Sequence, residues 1–220
     1  MRTLSLLTIL CLVLGATAFA GNLYTNGPTN GTNDGYFIDV YEVSDSYTIG
    51  SAGATGFDIA EWVPSGATPL TVSWSLGTTS FGSQISSGGG AWTSSTLLCT
   101  NGSPYNGGVC AGGFGYDIYQ MNKTFVGGPY DCAGTCYLSL TGATDSFGGR
   151  DAWDINSGPS AAYHNLLGAV PSESFTITGG STTTSSTTTS TTGTTPEPSS
   201  ILLLGSGALG LAGLLRRKLR

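Results

Sequence analysis

The chain has 220 residues, with 13 acidic and 7 basic side chains, 35 glycines and 9% charged residues, where an ordinary globular chain has about 25% charged and about 7% glycine. That composition excludes a coiled coil, a helical bundle and a charge-rich disordered chain. Between residues 21 and 198 only Lys123 and Arg150 oppose all 13 acids. This argues against nucleic acid, which is bound by Lys and Arg that replace its counterions, and leaves no basic face for anionic lipid headgroups.

Residues 1–20 open with Arg2, continue as an apolar run over 4–15 and end in Ala18-Phe19-Ala20. This is the build of a cleaved secretory signal helix, too short to span a bilayer comfortably.

From 21 to 179 no stretch of ten residues carries the i, i+3, i+4 spacing of an amphipathic helix. Short alternating or β-branched runs recur between Gly, Ser, Asn and Pro clusters. The expected strands are 36–41, 45–49, 56–62, 70–76, 91–98, 116–125, 136–141 and 172–178. They imply an all-β domain, an antiparallel β-sandwich of jelly-roll type. Strict alternation over 70–76 turns Leu70, Val72, Trp74 and Leu76 to the core. Further core candidates are Phe57, Ile59, Trp62, Ile118, Tyr137, Leu138, Leu140, Phe175 and Ile177. Ser44-Asp45-Ser46-Tyr47-Thr48-Ile49 echoes Ser172-Glu173-Ser174-Phe175-Thr176-Ile177, and the two strands are expected to pair or lie side by side.

Four cysteines remain once Cys11 leaves with the signal: Cys99, Cys110, Cys132 and Cys136. In an exported chain an even count reads as disulfides. Of three pairings, Cys99 with Cys110 and Cys132 with Cys136 is favoured, since each closes a local Gly-rich loop. Zinc is the rival, although only Cys132-x-x-x-Cys136 approaches a zinc knuckle.

Signals for catalysis are thin, and no catalytic residue is assigned. The one histidine, His164, sits in a Gly- and Asn-rich segment that reads as a surface loop, and neither Gly-x-Ser-x-Gly nor His-Glu-x-x-His occurs. Glycoside hydrolysis needs two carboxyls about 5–10 Å apart; Asp58 and Glu61, three apart on a strand, point to opposite faces. A hydrolase is therefore the weakest reading. No cofactor is required, though calcium suits loop oxygens. Asp145, Asp151, Asp154 and Asn156 supply such oxygens over 144–160, and Asn30, Asn33 and Asp34 form a second group. For a saccharide, aromatic faces meet sugar C–H groups, and Trp92, Trp153, Tyr105, Tyr130 and Tyr163 lie in or near expected loops.

The remainder is a linker and an anchor. Residues 180–195 are almost entirely Ser and Thr, which bury too little apolar area to offset chain entropy. Three Asn-x-Ser/Thr sequons, at Asn30, Asn101 and Asn122, read as turn chemistry. After Pro196-Glu197-Pro198, an apolar stretch over 199–215 is expected to form a transmembrane helix, and Arg216, Arg217, Lys218 and Arg220 would hold its end on the cytoplasmic side.

The Pro-Glu-Pro triplet, the short Gly- and Leu-rich helix and the terminal basic cluster over 196–220 resemble the PEP-CTERM sorting signal of Gram-negative bacteria, a tail also labelled as the C-terminal domain of ice-binding proteins. The resemblance implies recognition by an exosortase-type membrane protease, membrane attachment through the helix before processing, and delivery to the cell envelope or extracellular matrix. The runs at 43–47, 56–62 and 172–177 are similar to a recurrent PEP-CTERM body type, to which no activity attaches. The expected role is structural or adhesive, with carbohydrate binding to matrix polysaccharide as the alternative.

Overall fold

A computed structural model of the chain describes residues 20–32, 34–50 and 53–180. Residues 1–19 of the expected signal, Asn33, the linker from 181 onward and the whole tail, with Pro196, Glu197, Pro198, Arg216, Arg217, Lys218 and Arg220, lie outside the described residues. Among the described residues no helix is long and apolar enough to cross a membrane.

Two antiparallel sheets account for most of the domain. The first has seven strands: β1 (Ala20–Thr25), β2 (Gly35–Phe37), β4 (Ala54–Pro64), β7 (Ser94–Cys99), β10 (Tyr116–Thr124), β12 (Ala152–Asp154) and β15 (Phe175–Gly180). The second has six: β3 (Val43–Tyr47), β5 (Pro69–Gly77), β6 (Ser86–Ala91), β11 (Cys136–Asp145), β13 (Ala162–His164) and β14 (Gly168–Val170). A small hairpin joins β8 (Pro104–Tyr105) to β9 (Gly108–Val109), and a 3-10 turn follows at Cys110–Gly113.

The long β4 organises the first sheet. β10 runs beside its full length, while on its other edge β15 pairs the first half and β12 pairs Glu61 and Trp62. Side chains alternate along a strand, so Phe57, Ile59 and Glu61 share one face and Ala60 and Trp62 the other. The first face joins Val72, Trp74, Leu76, Leu138 and Leu140 of the second sheet in one buried cluster. Aromatic contacts close it: Trp74 lies 4.4 Å from Phe125, and Trp153 meets Phe175 edge-on at 5.7 Å. The second face has its own buried cluster, with Trp62, Ile118, Ala152 and the cystine of Cys99 and Cys110.

Several expectations change. Leu70 is 45% exposed, because the register of β11 on β5 shifts between Thr141 and Thr144 and again before Asp145, which puts the pleat beyond Thr71 out of phase with Val72. Tyr137 is only half buried, with its ring 6.3 Å from Tyr163. The expected strand 91–98 is two strands, β6 and β7, separated at Trp92 and Thr93. The echoing segments do not pair: β3 belongs to the six-stranded sheet and β15 to the seven-stranded one. They meet across the core instead, where the Glu173 N–H donates to Asp45 Oδ2 at 2.7 Å and Tyr47 stands edge-on to Phe175 at 6.4 Å.

Candidate functional site

The aromatics singled out for sugar contact do not share a cleft. Trp153 is fully buried on β12, its Nε1 donating to the Ser174 carbonyl at 2.8 Å, so its ring faces no solvent. Trp92 packs edge-on to Phe57 at 6.0 Å. Tyr105 lies on β8 against Gly31, where a Cβ would stand 2.7 Å from its Cε1. Tyr163 is on β13 beside Tyr137. Tyr130 donates its hydroxyl to the Val126 carbonyl at 2.7 Å. His164 is not a surface loop residue: it is 4% exposed on β13, with Tyr41 at 4.8 Å. Its Nδ1 accepts from the Leu166 and Leu167 N–H groups, and burial holds its pKa below the usual histidine value. The cysteines pair as Cys99 with Cys110 and Cys132 with Cys136.

The acids fall into two groups instead of one loop. Asp154 accepts from Trp62 Nε1 at 2.8 Å, the Gly31 N–H at 2.8 Å and the Asn30 N–H at 2.7 Å. Burial raises its carboxyl to about 6, and those donors hold it down from going higher. Asp45 shows the same balance, raised to about 6 by burial while the Glu173 and Ser46 N–H groups pull the other way. Asn156 belongs to this side, bonded to the Asn26 carbonyl and to Ser172.

Glu61, Asp145 and Asp151 make the second group. Asp145 accepts from the Phe147 and Gly149 N–H groups. Both carboxylate oxygens of Glu61 and both of Asp151 are buried without a donor. Burial, the Asp145 charge and contact with its side chain push Asp151 up to about 8, and burial with its two acidic neighbours raises Glu61 well above the ordinary value. The four residues expected to ligate calcium are thus divided between Asp145 with Asp151 and Asp154 with Asn156. Among the described residues no three Asp, Glu, His or Cys side chains converge as a metal site.

Beside a small recess of about 150 Å³ at Thr25, Asp58 and Gln120, two larger openings are lined by described residues. One is a groove of about 760 Å³ bordered by Pro28, Asn30, Asn106, Asn156 and Pro159. The other, about 310 Å³, lies on the outer face of the seven-stranded sheet, lined by Asp34, Phe37, Trp62, Phe114, Tyr116 and Ala152. None of these aromatics was a binding candidate in the sequence. The available signals were that β4 is apolar on both faces, the mark of a strand covered on both sides, and that Phe114 stands alone among glycines.

Against known proteins the tail gives the one finding. Residues 194–218 match the PEP-CTERM protein-sorting motif. This PEP-CTERM signal marks the chain as exported across the inner membrane of a Gram-negative bacterium and recognised by an exosortase-type system. No curated protein and no solved structure matches the chain.

Proposed function

We propose that the body of this PEP-CTERM protein is a non-enzymatic structural or adhesive component of the cell envelope or extracellular matrix, released from its membrane helix by processing near Glu197. The sorting motif at 194–218 carries this reading. In it the two sheets form the layers of a jelly-roll-like β-sandwich, braced by two local disulfides that suit an oxidising compartment. The body works without a cofactor. Glu61 and Asp151 sit buried away from the two openings and lack donors, which supports protonated structural carboxyls over a catalytic pair, since a reacting group must reach its substrate. A carbohydrate-binding role is the second reading, favoured by the aromatic cleft at Phe37 and Phe114.

Mass spectrometry of the mature protein, recovered from envelope and matrix fractions of a Gram-negative host with an exosortase, tests the main reading. The expected product lacks residues 1–20 and ends close to Glu197. An intact chain, or one retained in cytosol with reduced cysteines, overturns it.

A further inference from the structure

An antiparallel sheet with one face in the core ordinarily turns polar side chains to the other. Here one end of the outer face of the seven-stranded sheet is apolar across four neighbouring strands, while Asp58, Gln120 and Asn122 keep the rest of that face polar on β4 and β10. Register sets Phe37 of β2 beside Ala152 of β12, Ala152 beside Trp62 of β4, and Trp62 beside Ile118 of β10, with Tyr116 two residues along on the same face. Trp62 fixes its edge through Nε1 on Asp154, leaving the indole as floor.

The loop above this floor is strained and tied down. Ala111, Gly112, Gly113 and Gly115 all have positive φ, of 49°, 57°, 76° and 93°. Ala111 is a fully buried non-glycine residue, and such a conformation costs about 1–3 kcal/mol and gathers at ligand clamps. The cystine of Cys99 and Cys110 anchors the loop to β7, and the Ala111 N–H donates to the Gly31 carbonyl at 2.8 Å. A Cβ on Gly112 would stand 2.5 Å from Phe114 Cε2, so the ring rests on bare backbone. What these constraints hold in place is a phenyl ring that is 70% exposed. A loop built only to cover Trp62 has no use for it.

We propose that this cleft is a saccharide site that takes a neutral hexopyranose unit of a matrix polysaccharide. Phe114 and Tyr116 stack on the C–H face of the sugar, and Asp34 at the rim accepts its hydroxyl hydrogen bonds. The site deepens the adhesive reading and rests on it. Its volume of about 310 Å³ falls at the small end of ligand pockets. Charge selects a neutral polymer, because both cations of the body are engaged. Lys123 is buried against the Gly90 and Ala91 carbonyls, while Arg150 pairs with Asp39 at 3.3 Å and lies 4.2 Å over the Phe37 ring. Among the described residues the Asp34 carboxylate accepts only from the Gly35 N–H, through Oδ1, so a purely apolar partner would strip water from the rest of it without replacing it, whereas sugar hydroxyls donate to it.

The full-length chain, in a non-ionic detergent without a sugar headgroup, is run in native gels containing mixed-linkage glucan, galactomannan or polygalacturonate. A neutral polymer retards it. Phe114→Ala weakens that retardation about tenfold with the melting temperature unchanged, and Phe114→Trp keeps it. The proposal is overturned if no neutral polymer retards the chain, if only polygalacturonate does, if Phe114→Ala has no effect, or if the variant instead abolishes self-association seen by sedimentation. Failure of the sorting reading is separate, since it shows in the mature C-terminus and leaves gel retardation untouched.

Discussion

Asp154 and Asp151 lie three residues apart, both are fully buried, and they solve burial in opposite ways. Asp154 gathers three donors from Trp62, Gly31 and Asn30; Asp151 has none and stands beside Asp145. The first is raised only to about 6, the second to about 8. Burial raises both carboxyls; the N–H groups aimed at Asp154 hold it down, while the charges of Asp145 and Asp39 push Asp151 further up. Glu173 repeats the contrast beside Asp45: its own oxygens lack donors and its pKa is raised well above the usual value, while its backbone N–H is one of the groups that hold Asp45 lower.

The comparison breaks first at Asp154. Asp154→Ala leaves the indole N–H and two backbone N–H groups buried without an acceptor. It is expected to cost about 3–5 kcal/mol, read as a large fall in the denaturant midpoint. A loss under about 1 kcal/mol would mean that water replaces the carboxylate and that Trp62 is not fixed by it.

Next in size is the pH dependence. Below about pH 4 Asp151 carries its proton whether the chain is folded or not. From there to about pH 8 the unfolded chain has released the proton while the folded one keeps it, so stability is lost as pH rises through this window, by a few kcal/mol at most. Asp45 and Asp154 add to the fall in its lower part, up to about pH 6. Thermal melts should therefore drop from pH 5 to about pH 8; a flat profile between pH 6 and pH 8 would show that Asp151 is ionised in the folded protein.

A smaller effect separates the two residues most sharply, because one isosteric change should have opposite signs. Asp151→Asn removes a carboxyl that must stay protonated. It should stabilise the protein at pH 8 by about 1–2 kcal/mol and flatten the slope. Asp154→Asn turns one acceptor oxygen into an NH₂ group facing backbone N–H groups, and should destabilise by a similar amount. Matching signs in paired melts would remove the distinction.

This pattern also shows what a sequence can disclose. Strands with many apolar residues, such as β4, β5, β10 and β11, are legible because apolar runs bounded by turn residues report burial directly. The three-residue strands β12, β13 and β14 and the glycine-rich β6 are not, because their pairing is set by neighbours distant in the chain. The local disulfides follow from short spacing, while the separation of Asp151 from Asp154 does not. Ala152 and Asp154 face outward with Trp62, and Trp153 faces the core, so one short strand sends acids and aromatics to places that composition cannot distinguish. Phe114 escaped notice for a related reason. Its importance lies in Gly112, whose bare Cα gives the ring its seat, and one glycine out of 35 carries no mark of that duty.

The smallest expected effect concerns calcium. Asp145 and Asp151 could be held together by a cation in place of a proton, and the two arrangements answer differently to added metal. A protonated pair gains nothing, so about 5 mM calcium should shift the melting temperature at pH 7 by less than about 1 °C beyond a sodium control of equal ionic strength, and chelation should do no more. A metal bound only by the folded state would give a saturable rise of several degrees. Asp151→Asn would remove that rise, and the carboxyls of Glu61 and Asp151 would then be ionised ligands with an inverted pH dependence, in which stability grows as they lose their protons.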